Sequence, residues 1–321
     1  MVRTGRGTGA RLRAGAVVGV LVLALTACQT GREGADVPDG TPGGTDGTGE
    51  PGDPRDEPAT WEGAELVLEG RTGGGFVPWG YDARQVPSLS VYRDAEPAGG
   101  RAIVTGPTTL QYPGAALPNL LQVRLDDDVV AGLVDAAEEA GLLGPAPDYG
   151  RPNVADLPTT TVTLRVAGEE YVHEAYALDV APPEPVGDDG ALPGWDDGLT
   201  DDQRAARAAL TGFLRQATEA TSGSGGAQPY EPTALAVLAM PAGEWTGEAE
   251  LTPDVVPWPL SVSLAEGGCR VVAGDDAATL LATLASATEL TRFEQDGVAY
   301  EVAARPLLPH ESTCADAGIQ G

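Results

Sequence analysis

The groups in this chain that could do chemistry are three cysteines, two histidines and 48 carboxylates set against 19 arginines. A thiolate can act as a nucleophile, a metal ligand or half of a disulfide. Cys269 and Cys314 show no Cys-x-x-Cys spacing and have no histidine beside them. In an exported chain such a pair reads as one disulfide, with a metal site the weaker alternative. Closing a loop of that size stabilises a fold by roughly 4 kcal/mol where native strain is small. Of the histidines, His173 lies between Tyr171 and Glu174 on an expected strand, and His310 ends the run Pro306-Leu307-Leu308-Pro309-His310. A hydrolytic triad would need one of them beside a serine and an acid in space. The chain has no Gly-x-Ser-x-Gly elbow, no His-Glu-x-x-His and no Walker loop. Both histidines therefore read as surface or hydrogen-bonded residues, and no catalytic residue, metal or cofactor is assigned.

Four acidic clusters, Asp126-Asp127-Asp128, Asp188-Asp189, Asp196-Asp197 and Asp201-Asp202, offer the hard oxygen ligands that calcium takes. None has the Asp-x-Asp-x-Asp-Gly spacing with a glutamate at position 12. The first and last are better placed as helix N-termini. A more unusual feature is the loop from Gly73 to Tyr81, where Phe76, Trp79 and Tyr81 sit among four glycines. Exposed rings on a loop suit contact with a partner; the alternative is that they fold back over the neighbouring hairpin. Five Trp, eight Tyr and three Phe are all the aromatics the chain has, which leaves few for the ring platforms of a carbohydrate-binding surface.

The elements that must position these groups come after an export signal. Arg3, Arg6, Arg11 and Arg13 precede an uninterrupted small and apolar run from Ala14 to Ala27. Its 14 residues fall short of the ~18 that cross a bilayer as a helix, and the layout fits a signal peptide over residues 1–27. The run ends Leu25-Thr26-Ala27-Cys28, which resembles the bacterial lipobox. The resemblance implies a diacylglyceryl group on Cys28, cleavage before it, and attachment to the lipid bilayer at the extracytoplasmic face of the cell membrane. Two acyl chains meet the two-signal requirement for stable anchoring. Residues 28–60 read as a disordered acidic Gly/Pro tether whose aliphatic residues are Ala35, Val37 and Ala59. That is too little apolar surface to offset ordering entropy. Cleavage would remove four arginines and no acid, leaving 15 basic against 48 acidic residues, a net charge of −33. Such a chain is repelled by nucleic acid and by anionic headgroups, so no nucleic-acid partner is expected.

Folding is expected to begin near Trp61, with an α+β fold of antiparallel sheets of hairpins and packed helices. Glu65–Glu69 reads as a strand, Ser88–Tyr92 with Arg101–Thr105 as a hairpin, and Leu120–Leu125 as a further strand. A helix should start at Asp126 or Asp127 and stop at Gly141. Thr160–Val166 and Glu170–Tyr176 flank a turn at Ala167-Gly168. Pro182 to Gly198 reads as a linker, and Thr200-Asp201-Asp202-Gln203 is a capping box for a helix burying Ala206, Leu210, Phe213, Leu214 and Ala217. A Ser/Gly linker at 222–228 would separate an α+β domain, 61–221, from a smaller disulfide-bonded one, 229–321. In the latter, Thr233–Met240 and Val255–Leu264 read as strands, the second at an edge because of Pro257 and Pro259. A helix follows Asp275-Asp276, and Gln295-Asp296-Gly297 turns a last hairpin. The order strand, Asp-capped helix, hairpin thus occurs at about 120–178 and again at about 269–308, which is either duplication or the commonness of such units.

From Leu66 to about Leu143, the Gly-rich aromatic loop, the hairpin, the segment TGPTTLQYPGAALPN and the helix after it resemble lipoproteins of high-GC Gram-positive bacteria to which no activity is attached. The Thr200–Leu214 helix, with Gln203, Arg204 and Arg207, belongs to the same resemblance. It implies an address and a fold type. The expected function is a non-enzymatic envelope module that binds a protein or wall component, with an envelope hydrolase as the alternative. Phe76, Trp79 and Tyr81 are its candidate partner-contact residues.

Overall fold

Hydrophobic side chains at period two in the strands, and at helical spacing between them, sort this chain into two layered sheets. The computed structural model describes residues 61–95, 99–178, 198–222 and 226–319. Residues 1–60, which include the expected signal, Cys28 and the whole of the tether, lie outside them, as do Asp188-Asp189 and Asp196-Asp197. In chain order the elements are β1 Glu65–Gly73, α1 Tyr81–Arg84, β2 Leu89–Arg93, β3 Gly100–Thr105, β4 Leu120–Leu125, α2 Asp127–Glu139, β5 Thr159–Val166 and β6 Glu169–Tyr176. Then come α3 Asp201–Ser222, β7 Gln228–Pro229, β8 Ala234–Pro241, β9 Val255–Pro257, β10 Cys269–Ala273, α4 Gly274–Leu284, β11 Arg292–Gln295 and β12 Val298–Pro306.

The protein is α+β. A seven-stranded antiparallel sheet runs β6-β5-β1-β2-β3-β4-β7, and a five-stranded sheet runs β10-β8-β12-β11-β9 with only β9 parallel to its neighbour. One face of the larger sheet is covered by two helices. Leu68, Val91, Ala102, Val123, Val162 and Leu164 meet Val130, Leu133 and Ala137 of α2 and Leu210, Phe213 and Ala217 of α3. Each fully buried Leu, Val or Phe contributes about 1.5–3 kcal/mol, which holds these helices more firmly than their own propensity. The capping box forms as expected: Thr200 N–H donates to Gln203 Oε1 at 2.9 Å, and Gln203 N–H to Thr200 Oγ1 at 3.2 Å. Arg207 is buried, which the apolar periodicity of α3 does not reveal. Its guanidinium donates to the carbonyls of Tyr176 and Ala177, tying α3 to the end of β6.

The opposite face of that sheet is buried as well, along its central strands. A bulge between Leu66 and Leu68 shifts the β1–β2 register. Val67 and Leu68 both join the helix side, while Leu66 packs with Tyr92 and Ile103 on the other. In the smaller sheet, Leu235, Val237, Phe293 and Val302 pack under Ala277, Leu280 and Leu284 of α4. The other side places Ala236 and Ala303 against Ala83 of α1 and the tail residues Leu307, Ala317 and Ile319.

The strand–helix–hairpin order is present twice, as β4-α2-β5-β6 and β10-α4-β11-β12. Both hairpins turn on two residues with positive φ, Ala167-Gly168 (53° and 83°) and Asp296-Gly297 (55° and 80°), the type I′ geometry that matches strand twist. The two copies enter their sheets differently. β5 pairs with β1 and leaves β6 at the edge, whereas β12 pairs with β8 and β11 receives β9. The strand expected over 255–264 ends at Pro257, at the sheet edge as expected, because the prolines remove ladder donors. The described residues, all within 61–319, fall in one unit. The expected boundary at 222–228 lies within it, and Gln228 and Pro229 extend the larger sheet beside β4. Among the described residues no helix is long and apolar enough to cross a membrane.

Candidate functional site

The two histidines have opposite settings. His173 is fully buried; its Nε2 lies 2.8 Å from the Leu142 carbonyl oxygen and its Nδ1 2.8 Å from Tyr149 Oη. A carbonyl only accepts, so Nε2 carries the proton and Nδ1 accepts from the phenol. Burial pushes the Tyr149 phenol up to about 12, which keeps it a donor. With both ring nitrogens engaged, and no serine among those partners, His173 ties β6 to the segment after α2.

His310 belongs to a buried seam between the second face of the larger sheet and the C-terminal tail. Glu311 lies at its centre, fully enclosed. Arg305 donates to both its oxygens at 2.8 Å, and Leu308 N–H donates to Oε2. Arg71 reaches Glu311 Oε1 at 3.2 Å and Glu69 Oε1 at 3.2 Å. Tyr92 Oη is 2.8 Å from His310 Nδ1, and His310 Nε2 is 3.1 Å from Glu69 Oε2, an ion-pair distance without hydrogen-bond alignment. Burial pushes the Glu69 carboxyl up, but the contact with His310 and the charges of Arg71 and Arg305 outweigh it and hold the group below its ordinary value. Burial first, then Tyr230, Glu69 and Glu311, pushes the Tyr92 phenol far upward. Trp61 closes the seam, edge-on to Tyr92 and Tyr230 and beneath the Arg101 guanidinium at 3.9 Å.

Glu69, His310 and Glu311 bring three potential ligand atoms within 4.8 Å of one another. Two guanidiniums already supply the positive charge there, and both Glu311 oxygens are occupied, so the donor set suits an internal lock better than a cation. The lock is fastened covalently: Cys269 of β10 and Cys314 of the tail form the expected disulfide, with Cα atoms 6.1 Å apart. Asp316 rivets the tail further, accepting from Ser312 and Thr313 N–H; these bonds pull its carboxyl down to about 2. The acids at Asp127-Asp128 and Asp201-Asp202 occupy the first turns of α2 and α3.

A second region is open. Two adjoining hollows of about 410 and 330 Å³ share Tyr81, Arg84 and Glu289. Gly80 brings the chain to this point: its φ is 75°, and a Cβ there would stand 3.1 Å from that of Ala303, so both conformation and close approach require glycine. The single-turn helix α1 then seats Ala83 on the smaller sheet and turns Tyr81 and Arg84 into the hollows. Arg84 donates to the carbonyls of Glu289 and Val302. Burial pulls its pKa down, while Glu289 and Glu301 oppose that. Opposite, residues 106–119 leave the larger sheet as a loop closed at its stem by Gly106 N–H to the Asn119 carbonyl at 2.8 Å. Its far end is stitched to the connection between α4 and β11: Glu289 N–H donates to the Gly114 carbonyl, Gly114 N–H to Glu289 Oε1, and Ala116 N–H to the Ala287 carbonyl.

Four rings line the second hollow: Trp79, Tyr81, Tyr112 and Trp245. Trp79 is 40% and Tyr112 61% exposed, and Phe76 stands nearly free at 90%. Phe76 therefore does not fold back over the hairpin, while Trp79 and Tyr81 are each about half covered. Trp245 is fixed by its indole N–H to the Glu248 carbonyl at 3.0 Å and by the close approach of Gly247. Arg292 pairs with Glu301 at 3.3 Å. Among the described residues the walls hold no His, Cys or Ser; they offer rings, threonine hydroxyls, and two carboxylates with two arginines. No local sequence pattern marks Tyr112 and Trp245 as members of this wall; the signal available is only their rarity. Comparison with protein-family models, curated proteins and solved structures found no match.

Proposed function

We propose that this chain is a lipid-anchored protein of the extracytoplasmic membrane face and acts as a non-enzymatic binding module of the cell envelope, with the aromatic cleft as its contact surface. The anchor rests on the lipobox-like Leu25-Thr26-Ala27-Cys28. The observation that carries the binding reading is the cleft. An aromatic-poor chain places four rings, from three separate segments, on one solvent-open wall. Aromatic side chains left exposed and rigidly based are the usual anchors of recognition surfaces. The hydrolase alternative has less support, since both ring nitrogens of His173 are engaged by Leu142 and Tyr149, and His310 sits in the seam.

Two measurements test the reading. Cys28→Ala should move the protein from the membrane to the soluble fraction; a variant that still partitions with membranes refutes the anchor. Trp79→Ala, placed in the unlipidated Cys28→Ala chain so that no acyl anchor can carry it down, should abolish cosedimentation of the purified protein with isolated cell envelopes while its melting temperature holds. Undiminished cosedimentation would refute the cleft as the contact surface.

A further inference from the structure

We infer that the ligand of the aromatic cleft is a short, uncharged oligosaccharide; this rests on the binding reading above and names its ligand class. Three features of the cleft select that class. Four rings share one wall, and three of them, Trp79, Tyr81 and Tyr112, are exposed for stacking. The indole N–H of Trp245 is already given to the Glu248 carbonyl, so that side chain has no donor left for a peptide carbonyl. A ring face carries the negative side of the aromatic quadrupole and attracts C–H groups. The C–H faces of a pyranose are such groups, and stacking needs nothing from the ring edge.

The charged groups of the cleft cancel. Arg292 pairs with Glu301, and the coulombic partners of Arg84 are Glu289 and Glu301. The two hollows therefore hold two cations and two anions inside a chain whose overall charge is −29. An anionic polymer would be repelled by the molecule as a whole, and of the two cations in this cleft Arg292 is ion-paired with Glu301 while Arg84 is engaged by the carbonyls of Glu289 and Val302. A cationic ligand would find better partners elsewhere on the acidic surface. The ligand that loses least is neutral.

The adjoining hollow supplies what the ring wall lacks. Gln85, Thr108, Thr109 and Asn119 line it beside Arg84. Hydroxyls and amides both donate and accept, which suits the paired donor–acceptor character of sugar hydroxyls. Each hollow is within the size range of small-ligand sites, and the two run into one another at Tyr81, Arg84 and Glu289, giving an elongated site for more than one sugar ring. A proline-rich peptide, the other ligand that docks on aromatic-lined grooves, would leave the hydroxyls and amides of the adjoining hollow unused, which makes it the less favoured class.

The test uses tryptophan emission of the purified full chain titrated with chitotriose, cellotriose, maltotriose and, separately, a proline-rich peptide. At least one trisaccharide should give a saturable change, weakened roughly tenfold or more in both Trp79→Ala and Tyr112→Ala, with melting temperatures preserved. If no trisaccharide saturates up to about 10 mM, the saccharide inference is overturned. Should envelope cosedimentation still depend on Trp79 in that case, the binding reading survives, and a titrating proline-rich peptide replaces the sugar. If cosedimentation is also indifferent to Trp79, both fall.

Discussion

The seam and the cleft divide the side chains of this protein in an instructive way. The seam collects groups that look chemically capable, two glutamates, a histidine, a phenol and two arginines, and engages them with one another. The cleft collects rings with little intrinsic reactivity and leaves them open to solvent. Burial explains the difference. A charge taken from water must be paired at once, so the enclosed Arg305–Glu311 pair has nothing left to offer a ligand. An exposed ring on a fixed base keeps its face unsatisfied until something stacks on it. The residues most suggestive of catalysis thus hold the fold, and the proposed function falls to the inert ones.

The largest effect that would separate the two regions is expected from Glu311→Ala. It leaves Arg305 enclosed without a carboxylate and removes one partner of Arg71. Breaking a buried pair from one side costs about 3–5 kcal/mol, which denaturant unfolding would read directly. A loss below about 1 kcal/mol would show that water relieves the site and that the seam is not a lock.

Next comes the disulfide. Cys269 and Cys314 are 45 residues apart and fasten the tail that carries Glu311 to β10. Replacing both with serine should cost about 2–4 kcal/mol. The saccharide affinity of any protein still folded should be unchanged, because neither cysteine lines the cleft. Equal loss of stability and affinity would mean that the two regions are coupled.

How each region could be read from sequence differs for the same physical reasons. Local signals carried the fold: Ala167-Gly168 and Asp296-Gly297 announce their turns, Thr200 and Gln203 announce α3, and the acids at 127–128 announce α2. The disulfide followed from counting cysteines. The helix α1 was invisible, because one turn has no propensity of its own and exists by seating Ala83 on Ala236 and Ala303. The seam was invisible because Glu69 and Arg71 look like solvent-facing strand residues, and only the tail laid over them shows otherwise. Phe76, Trp79 and Tyr81 could be marked as unusual, yet their companions Tyr112 and Trp245 lie far off in the chain. Tyr112 is held on the wall by the stitch between Gly114 and Glu289, a pairing no local pattern announces.

A smaller and pH-dependent effect distinguishes the regions further. Folding holds the Glu69 carboxyl below its ordinary value of 4.5, through His310, Arg71 and Arg305. A depressed folded value means that the unfolded chain binds the proton first as pH falls. The contribution of Glu69 is therefore complete above about pH 4.5 and is lost as pH drops through the folded value. Tyr92 and Tyr230 act on the other side, since burial raises both. Their contribution is complete below pH 10 and is lost as pH rises beyond it. Glu69→Gln should flatten the acid limb of a stability–pH profile and leave the alkaline limb in place; Tyr92→Phe should do the reverse. An unchanged acid limb in Glu69→Gln would locate acid sensitivity elsewhere.

The smallest effect sharpens the contrast from the cleft side. Phe76 is 90% exposed on the loop that leads to Trp79 and Tyr81, so Phe76→Ser removes almost no buried surface. Substitutions of this kind usually change stability by no more than about 0.5 kcal/mol in either direction. The same change takes a large apolar face from the rim of the contact surface, so envelope cosedimentation of the unlipidated Cys28→Ala chain should weaken even though unfolding is unaltered. Trp79→Ala should lose more, because Trp79 lines the hollow itself whereas Phe76 only flanks it. A Phe76→Ser variant that melts several degrees lower would show that this ring supports the fold after all. The division between a closed seam that stabilises and an open cleft that binds would then fail at its simplest point.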